Sequence, residues 1–182
     1  MNTLVVFYSR TGTTRTVAQR IARELDADLE ELSEPKDRHG LRGYLRSGFD
    51  ARLDRWVTLE ALDRDPTSYD LVVVGTPVWV SSLSAPVRTF LGNHAGRLRN
   101  VAFFVTQGGR GDRRVLGQMA SVVGAKPRAT LTLTQREVEQ GTIASAITSF
   151  VAALRPDANG VAVSMHASGS LETELGSSEA RP

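Results

Sequence analysis

The sequence predicts an open α/β fold, a five-stranded parallel sheet with helices on both faces. Three observations predict it. Short, nearly uninterrupted apolar runs alternate with amphipathic stretches, as strands buried on both faces alternate with the helices that cover them. The alternation repeats about every 30 residues, the length of one βαβ step. Turns rich in hydroxyls and glycine follow the strands, at the carboxyl edge where such sheets hold ligands.

The elements follow in order. LVVFY (Leu4–Tyr8) is an apolar run suited to a doubly buried strand. Thr13 to Leu25 carries Val17, Ile21 and Leu25 at helical spacing. A weaker strand falls near Ala27–Leu32, and Leu41 to Trp56 lines up Leu41, Leu45, Phe49, Leu53 and Trp56 on one helical face. Arg42, Arg46, Arg52 and Arg55 stand beside that face, and Gly43 and Gly48 weaken the helix. LVVVGT (Leu71–Thr76) is the clearest strand, followed by a helix opening at Ser84-Ala85-Pro86, where serine caps and proline suits the first turn. VAFFVTQ (Val101–Gln107) is a strand, and a helix runs from the QGGRGD turn to about Val123. Ala129–Thr134 is the fifth strand, and Gly141–Leu154 is the last helix, with Ile143, Ile147, Phe150 and Leu154 in step. Beyond Arg155 the chain turns Ser/Gly/Glu-rich and loses its period, so residues 1–155 read as one domain and 156–182 as a flexible tail.

The whole chain of 182 residues is the size of one domain and buries a core without staples. With 41% hydrophobic and 23% charged residues it is not disordered, collagenous or coiled coil over most of its length. No apolar run approaches the ~18 residues of a membrane span. The start, MNTLVVFYSR, lacks a basic n-region and a small-residue cleavage site, and reads as a strand. These features predict a soluble, cytoplasmic protein. The absence of cysteine removes disulfides, thiolate nucleophiles and thiolate metal sites, and three scattered histidines leave little for a metal cage. The isoelectric point of 9.4 comes from arginine, which supplies twenty of the 22 basic side chains, and the net charge of +2 is too small for a nucleic-acid binder.

The loop after the first strand, Ser9 to Thr16, sets Ser9, Thr11, Thr13 and Thr14 around Gly12 at a strand-to-helix turn. Glycine permits the tight turn, the helix N-terminus offers unpaired N–H groups, and the hydroxyls add donors, which together make a phosphate cradle of neutral groups. The plainer reading is a capped helix start. There is no GxxxxGK[ST] and no GxGxxG, so neither a triphosphate P-loop nor a dinucleotide turn is present. A receiver domain needs an aspartate where the third strand ends in Gly75-Thr76, and Asp70 stands at its other end. A tyrosine phosphatase needs a cysteine. A phosphomonoester attached to something flat remains.

The run Val5-Val6-Phe7-x-Ser9-x-x-Gly12-x-Thr14-x-x-x-Ala18-x-x-Ile21 resembles the phosphate signature of the flavodoxin-like, FMN-binding family, and the likeness extends from Thr3 to about Leu154. It implies a flavodoxin-like three-layer α/β/α sandwich with strand order 2-1-3-4-5, and FMN as cofactor. By position, the side chains of Ser9, Thr11, Thr13 and Thr14 would hold the FMN phosphate, with backbone N–H groups from Arg10 and Gly12. GTPVWVSSLSAP (Gly75–Pro86) resembles the family's GxPxW loop. Trp79 would then stack on the flavin, with Thr76, Pro77 and Val78 lining its chain and ring; the other reading makes Trp79 a core plug. In TQGGRGD, Gln107, Gly108 and Gly109 would bring backbone to the polar edge of the ring. Arg110 has no fixed family counterpart and is either a cation at that edge or a solvated loop residue.

The chain departs from acidic flavodoxins, with Arg10, Arg15, Arg110, Arg113 and Arg114 near the expected rim, which argues against a very low-potential carrier. Tyr44 and Arg46, in the Gly40–Asp50 stretch, face a substrate or second subunit, or simply pack and solvate. His94 reads as structural or surface, and His166 falls in the tail. The resemblance implies electron transfer or FMN-dependent oxidoreduction, with chemistry at the flavin and no side-chain nucleophile. NAD(P)H or a redox protein would donate, and a quinone, another small molecule or a redox protein would accept; a homodimer is a further expected partner arrangement. The alternatives are a non-catalytic binding or regulatory module and a protoporphyrinogen-oxidase-like enzyme.

Overall fold

The computed structural model describes residues 1–35, 56–155 and the backbone of 163–166. The helix expected over 41–56 and the Gly40–Asp50 stretch lie outside the described residues, Trp56 excepted. Six parallel strands form the sheet: β1 (Thr3–Phe7), β2 (Asp28–Glu31), β3 (Leu71–Trp79), β5 (Val101–Gln107), β6 (Ala129–Thr134) and β7 (Val163–His166), in the order β2-β1-β3-β5-β6-β7. A two-residue strand, β4 (Ser82–Leu83), pairs antiparallel with the end of β3. The first five parallel strands thus take the expected 2-1-3-4-5 arrangement. Val5 lies beside Val73 and Val73 beside Ala102, which continues the apolar rows across the sheet.

Alternation along each strand divides the core in two. Val5, Phe7, Val73 and Phe104 point to the face covered by α1 (Thr13–Leu25) and α5 (Ala144–Leu154), whose Val17, Ile21, Ile147 and Phe150 fill the layer. Leu4, Val6, Val72 and Val74 point the other way, against Val87, Phe90 and Leu91 of α2 (Ala85–Asn93) and Val115 and Met119 of α3 (Asp112–Val123). The result is a three-layer sandwich.

Two features differ from the sequence reading. The expected last helix, Gly141–Leu154, is α5, which starts at Ala144, and a short helix the sequence reading did not name, α4 (Gln135–Gln140), precedes it. Thr134 caps α4 through a reciprocal box with Glu137, and Gly141 ends it at φ 72, a conformation open to glycine. The stretch expected to be a flexible tail from 156 contains β7, which pairs with β6. Four residues carry too short a pattern to announce a strand, and their pairing comes from the edge of β6.

At the opposite edge the chain leading to β3 folds over β2. Glu60 N–H donates to Ser33 O at 2.9 Å and Asp63 N–H to Glu30 Oε1 at 3.1 Å, while Arg64 reaches Glu30 at 3.4 Å and Asp28 at 3.6 Å. Tyr69 O–H donates to Asp28 Oδ2 at 2.7 Å. Burial, and then this carboxylate, hold the Tyr69 phenol above its ordinary value. The neutral phenol is the form that folds. Its contribution is full below about pH 10, the ordinary phenol value, and is lost as pH rises through the raised native value. Tyr69→Phe is expected to flatten that alkaline decline in urea melts.

Gly75 sits beside Phe104 in register, and a Cβ there would lie 1.9 Å from Phe104 Cζ. Phe104 is fully buried in the layer under α1 and α5. Gly75→Ala is therefore expected to destabilise the fold by about 1–3 kcal/mol, read from the denaturation midpoint.

Candidate functional site

The carboxyl ends of β1, β3 and β5 bring three loops together. Tyr8 N–H donates to Gly75 O at 3.1 Å, continuing the β1–β3 ladder into the first loop. Gly12 then takes φ 95 as the residue before α1, it offers no side-chain cap, and no acidic residue stands in the first turn. Ser9 Oγ accepts from Arg15 N–H at 3.2 Å, and Thr16 N–H returns to Gly12 O at 2.9 Å. The N–H groups of Thr13 and Thr14 have no protein acceptor among the described residues. A positive helix end with neutral donors around it suits an anion. Thr11 is exposed and Thr13 half-buried at this turn. Thr14 is different: it is buried, with its Oγ1 2.8 Å from Thr106 Oγ1 on β5.

In the second loop the structure separates residues the sequence grouped. Thr76 is fully buried; its hydroxyl donates to Pro77 O at 3.1 Å and pairs with Ser84 Oγ at 2.9 Å, so Ser84 is the donor to Thr76. The Thr76 side chain is engaged inside the protein. Pro77, Val78 and Trp79 are half-buried at its margin. Trp79 is no core plug: Tyr8 meets its ring edge-on at 5.6 Å and 83°, and the Arg10 guanidinium carbon lies 5.7 Å from its centroid. The turn into β4 puts Val80 at φ 48 and Ser81 at φ 58. Both are left-handed, as a two-residue hairpin demands, and for a β-branched residue this costs roughly 1–2 kcal/mol. Leu83 N–H, donating to Gln118 Oε1 at 3.0 Å, and Ser81, packed on Gly111, hold the turn. A Cβ at Gly111 would fall 2.7 Å from Ser81 Cα, so this position takes glycine.

The third loop follows β5. Gln107 has a buried Oε1 with no hydrogen-bond partner, an acceptor awaiting a donor. Gly108 and Gly109 are exposed, and a Cβ at either position would meet nothing within 4 Å, which leaves room for close approach. Arg110, Arg113 and Arg114 are exposed, as expected for a basic rim. Arg15 is not part of that positive surplus. It forms a two-pronged pair with Glu31, at 2.9 and 2.6 Å, and Glu31 raises the Arg15 pKa through hydrogen bonding and charge.

The donor set fits a phosphomonoester on a flat ring: unpaired N–H groups and hydroxyls at α1, a half-exposed indole, an orphan acceptor and two open glycines. Sequence reasoning gave Thr106 and Gly111 no role of their own, and it made Ser84 a helix cap and part of the ring wall, whereas its hydroxyl turns to Thr76 and makes no cap bond. Thr106 carried one signal, a hydroxyl closing an otherwise apolar strand. Among the described residues there is no group of three or more histidine, aspartate or glutamate side chains that could hold a metal ion. Among the same residues no helix is long and apolar enough to cross a membrane.

Fold and site together define an α/β protein whose three candidate loops meet at the carboxyl edge of a parallel sheet. The sequence profile of flavodoxin matches residues 2–131, and the chain belongs to the flavodoxin family. No curated protein matches. Among solved structures, a flavoprotein from Lactobacillus acidophilus NCFM in complex with FMN is 24% identical, covering 76% of this chain and 97% of its own at a TM-score of 0.60. A structure from Bacteroides eggerthii described as a flavoprotein is 18% identical, with 82% and 97% covered and a TM-score of 0.62. One from Bacteroides uniformis, described likewise, is 19% identical, with 77% and 96% covered and a TM-score of 0.55. At these identities the likeness is one of fold.

Inorganic phosphate added to the free protein is expected to shift the amide resonances of Gly12, Thr13 and Thr14 in a nitrogen–proton correlation spectrum. Thr13→Glu, which places a carboxylate at the same helix end, is expected to abolish the shift.

Proposed function

We propose that this chain is an FMN-binding flavoprotein acting in electron transfer or as an FMN-dependent oxidoreductase. The observation that carries the reading is the open N-terminus of α1, with Gly12 left-handed, no side-chain cap and no acid in its first turn. Thr13 and Thr14 N–H groups would hold the phosphate, joined by the hydroxyls of Ser9, Thr11, Thr13 and Thr14 and the backbone of Arg10 and Gly12. Pro77, Val78 and Trp79 would line the ring, and Gln107 to Gly109 would meet its polar edge, where the orphan Gln107 Oε1 offers an acceptor.

When bound, FMN supplies the electron-accepting ring; the chain binds, orients and sets the field around it. Arg10 brings positive charge to Trp79, and exposed Arg110 stands in the loop after β5. Cations beside the ring favour its negatively charged reduced form. This supports a carrier or enzyme of moderate potential, receiving electrons from NAD(P)H or a redox protein and passing them to a quinone or redox protein.

Titration of FMN into the purified protein is expected to quench flavin fluorescence and redshift the visible band. Trp79→Ala is expected to weaken FMN roughly tenfold and to restore part of the fluorescence. Absence of quenching with wild-type protein would remove the stacked indole from the account.

A further inference from the structure

Two buried hydroxyl pairs lie under the candidate site, and they differ in one hydrogen. In the first pair, Ser84 donates to Thr76 and Thr76 donates to Pro77 O, so Thr76 has both an incoming and an outgoing bond. In the second, Thr14 and Thr106 share a single contact of 2.8 Å, and neither hydroxyl has another partner among the described residues. Each hydroxyl carries one hydrogen. Two hydrogens and one mutual bond leave one O–H without an acceptor, on side chains only 2% and 4% exposed. A buried donor left unmade is expensive, and native proteins rarely keep one without a use.

Which hydroxyl holds the spare hydrogen decides the use. Thr106 belongs to β5 and lies between Pro77 and Leu133 in the sheet. Thr14 belongs to the first turn of α1, where its own N–H and that of Thr13 already face the anion site. We propose that Thr106 donates to Thr14 and is thereby a positioning residue: it fixes the Thr14 hydroxyl so that the remaining hydrogen serves an anionic oxygen at the α1 N-terminus. The inference rests on the phosphate-binding reading above and assigns a residue to it. It also gives the middle strand of the site a part in the phosphate grip, through a side chain that never touches the ligand.

The test compares FMN with riboflavin, which lacks the phosphate, by calorimetry on wild type, Thr106→Val, Thr106→Ser and Thr14→Val. Valine has the shape of threonine and suits a strand, and melting curves check that each variant folds. Wild type is expected to prefer FMN over riboflavin. Thr106→Val should reduce that preference about tenfold, the size of one hydrogen bond to a charged group, with riboflavin affinity unchanged. Thr106→Ser, which keeps the donor, should restore it. Thr14→Val, which removes the donor to the phosphate itself, should lose at least as much, and the double variant should lose little more than Thr14→Val alone, since Thr106 acts only through the Thr14 hydroxyl. A wild-type preference that survives intact in Thr106→Val overturns this inference and leaves the site reading standing. So does a proportional loss of FMN and riboflavin, which marks Thr106 as merely structural. A wild type that binds FMN no better than riboflavin overturns the site reading, and this inference with it.

Discussion

The backbone N–H groups that open α1 cannot be satisfied by the helix they begin. A helix leaves its first donors unpaired by geometry, and proteins usually close them with a side chain. Here the closing residue is Gly12, which has no side chain to offer, and the turn that follows carries no carboxylate. Strand β1 delivers this open end to the carboxyl edge of the sheet, and Val17 and Ile21 anchor the helix behind it in the core. The rest of the site is arranged around donors left available at one fixed place.

Three contacts gather the other loops about that place. Thr14 with Thr106 ties α1 to β5, Tyr8 with Trp79 ties the first loop to the second, and Ser81 on Gly111 ties the second to the third. None is strong alone. Together they set an indole, an orphan acceptor and an open helix end on one edge, and they hold the Val80–Ser81 turn in a conformation it would not choose. The large, dry core beneath supplies the rigidity that makes such small contacts positional.

Local pattern makes most of the fold legible. The bounds of α1, β5 and β6 follow directly from apolar spacing, because burial on both faces or one face leaves a clear period. Gly141 is harder, since a glycine at a helix end looks the same whether it starts the next helix or closes the last. Strand β7 depends on the edge of β6, a tertiary fact that no short segment encodes. At the site, the hydroxyl-rich turn identifies the open helix end, but it does not tell working hydroxyls from engaged ones. Thr76 and Thr14 look alike in sequence, and only hydrogen-bond partners show that the first is closed and the second belongs to a pair with one hydrogen to spare. Arg15 likewise reads as rim charge in the sequence, and only the Glu31 carboxylate against it shows otherwise.

On the proposed reading, neutral donors at the α1 N-terminus grip a phosphate as its dianion. Phosphorus NMR of FMN bound to the protein tests it most directly. One line displaced from free FMN is expected, and it should hold its position as pH falls through about 6, where a free phosphomonoester takes up a proton. A line at the free position that titrates like free FMN would contradict it.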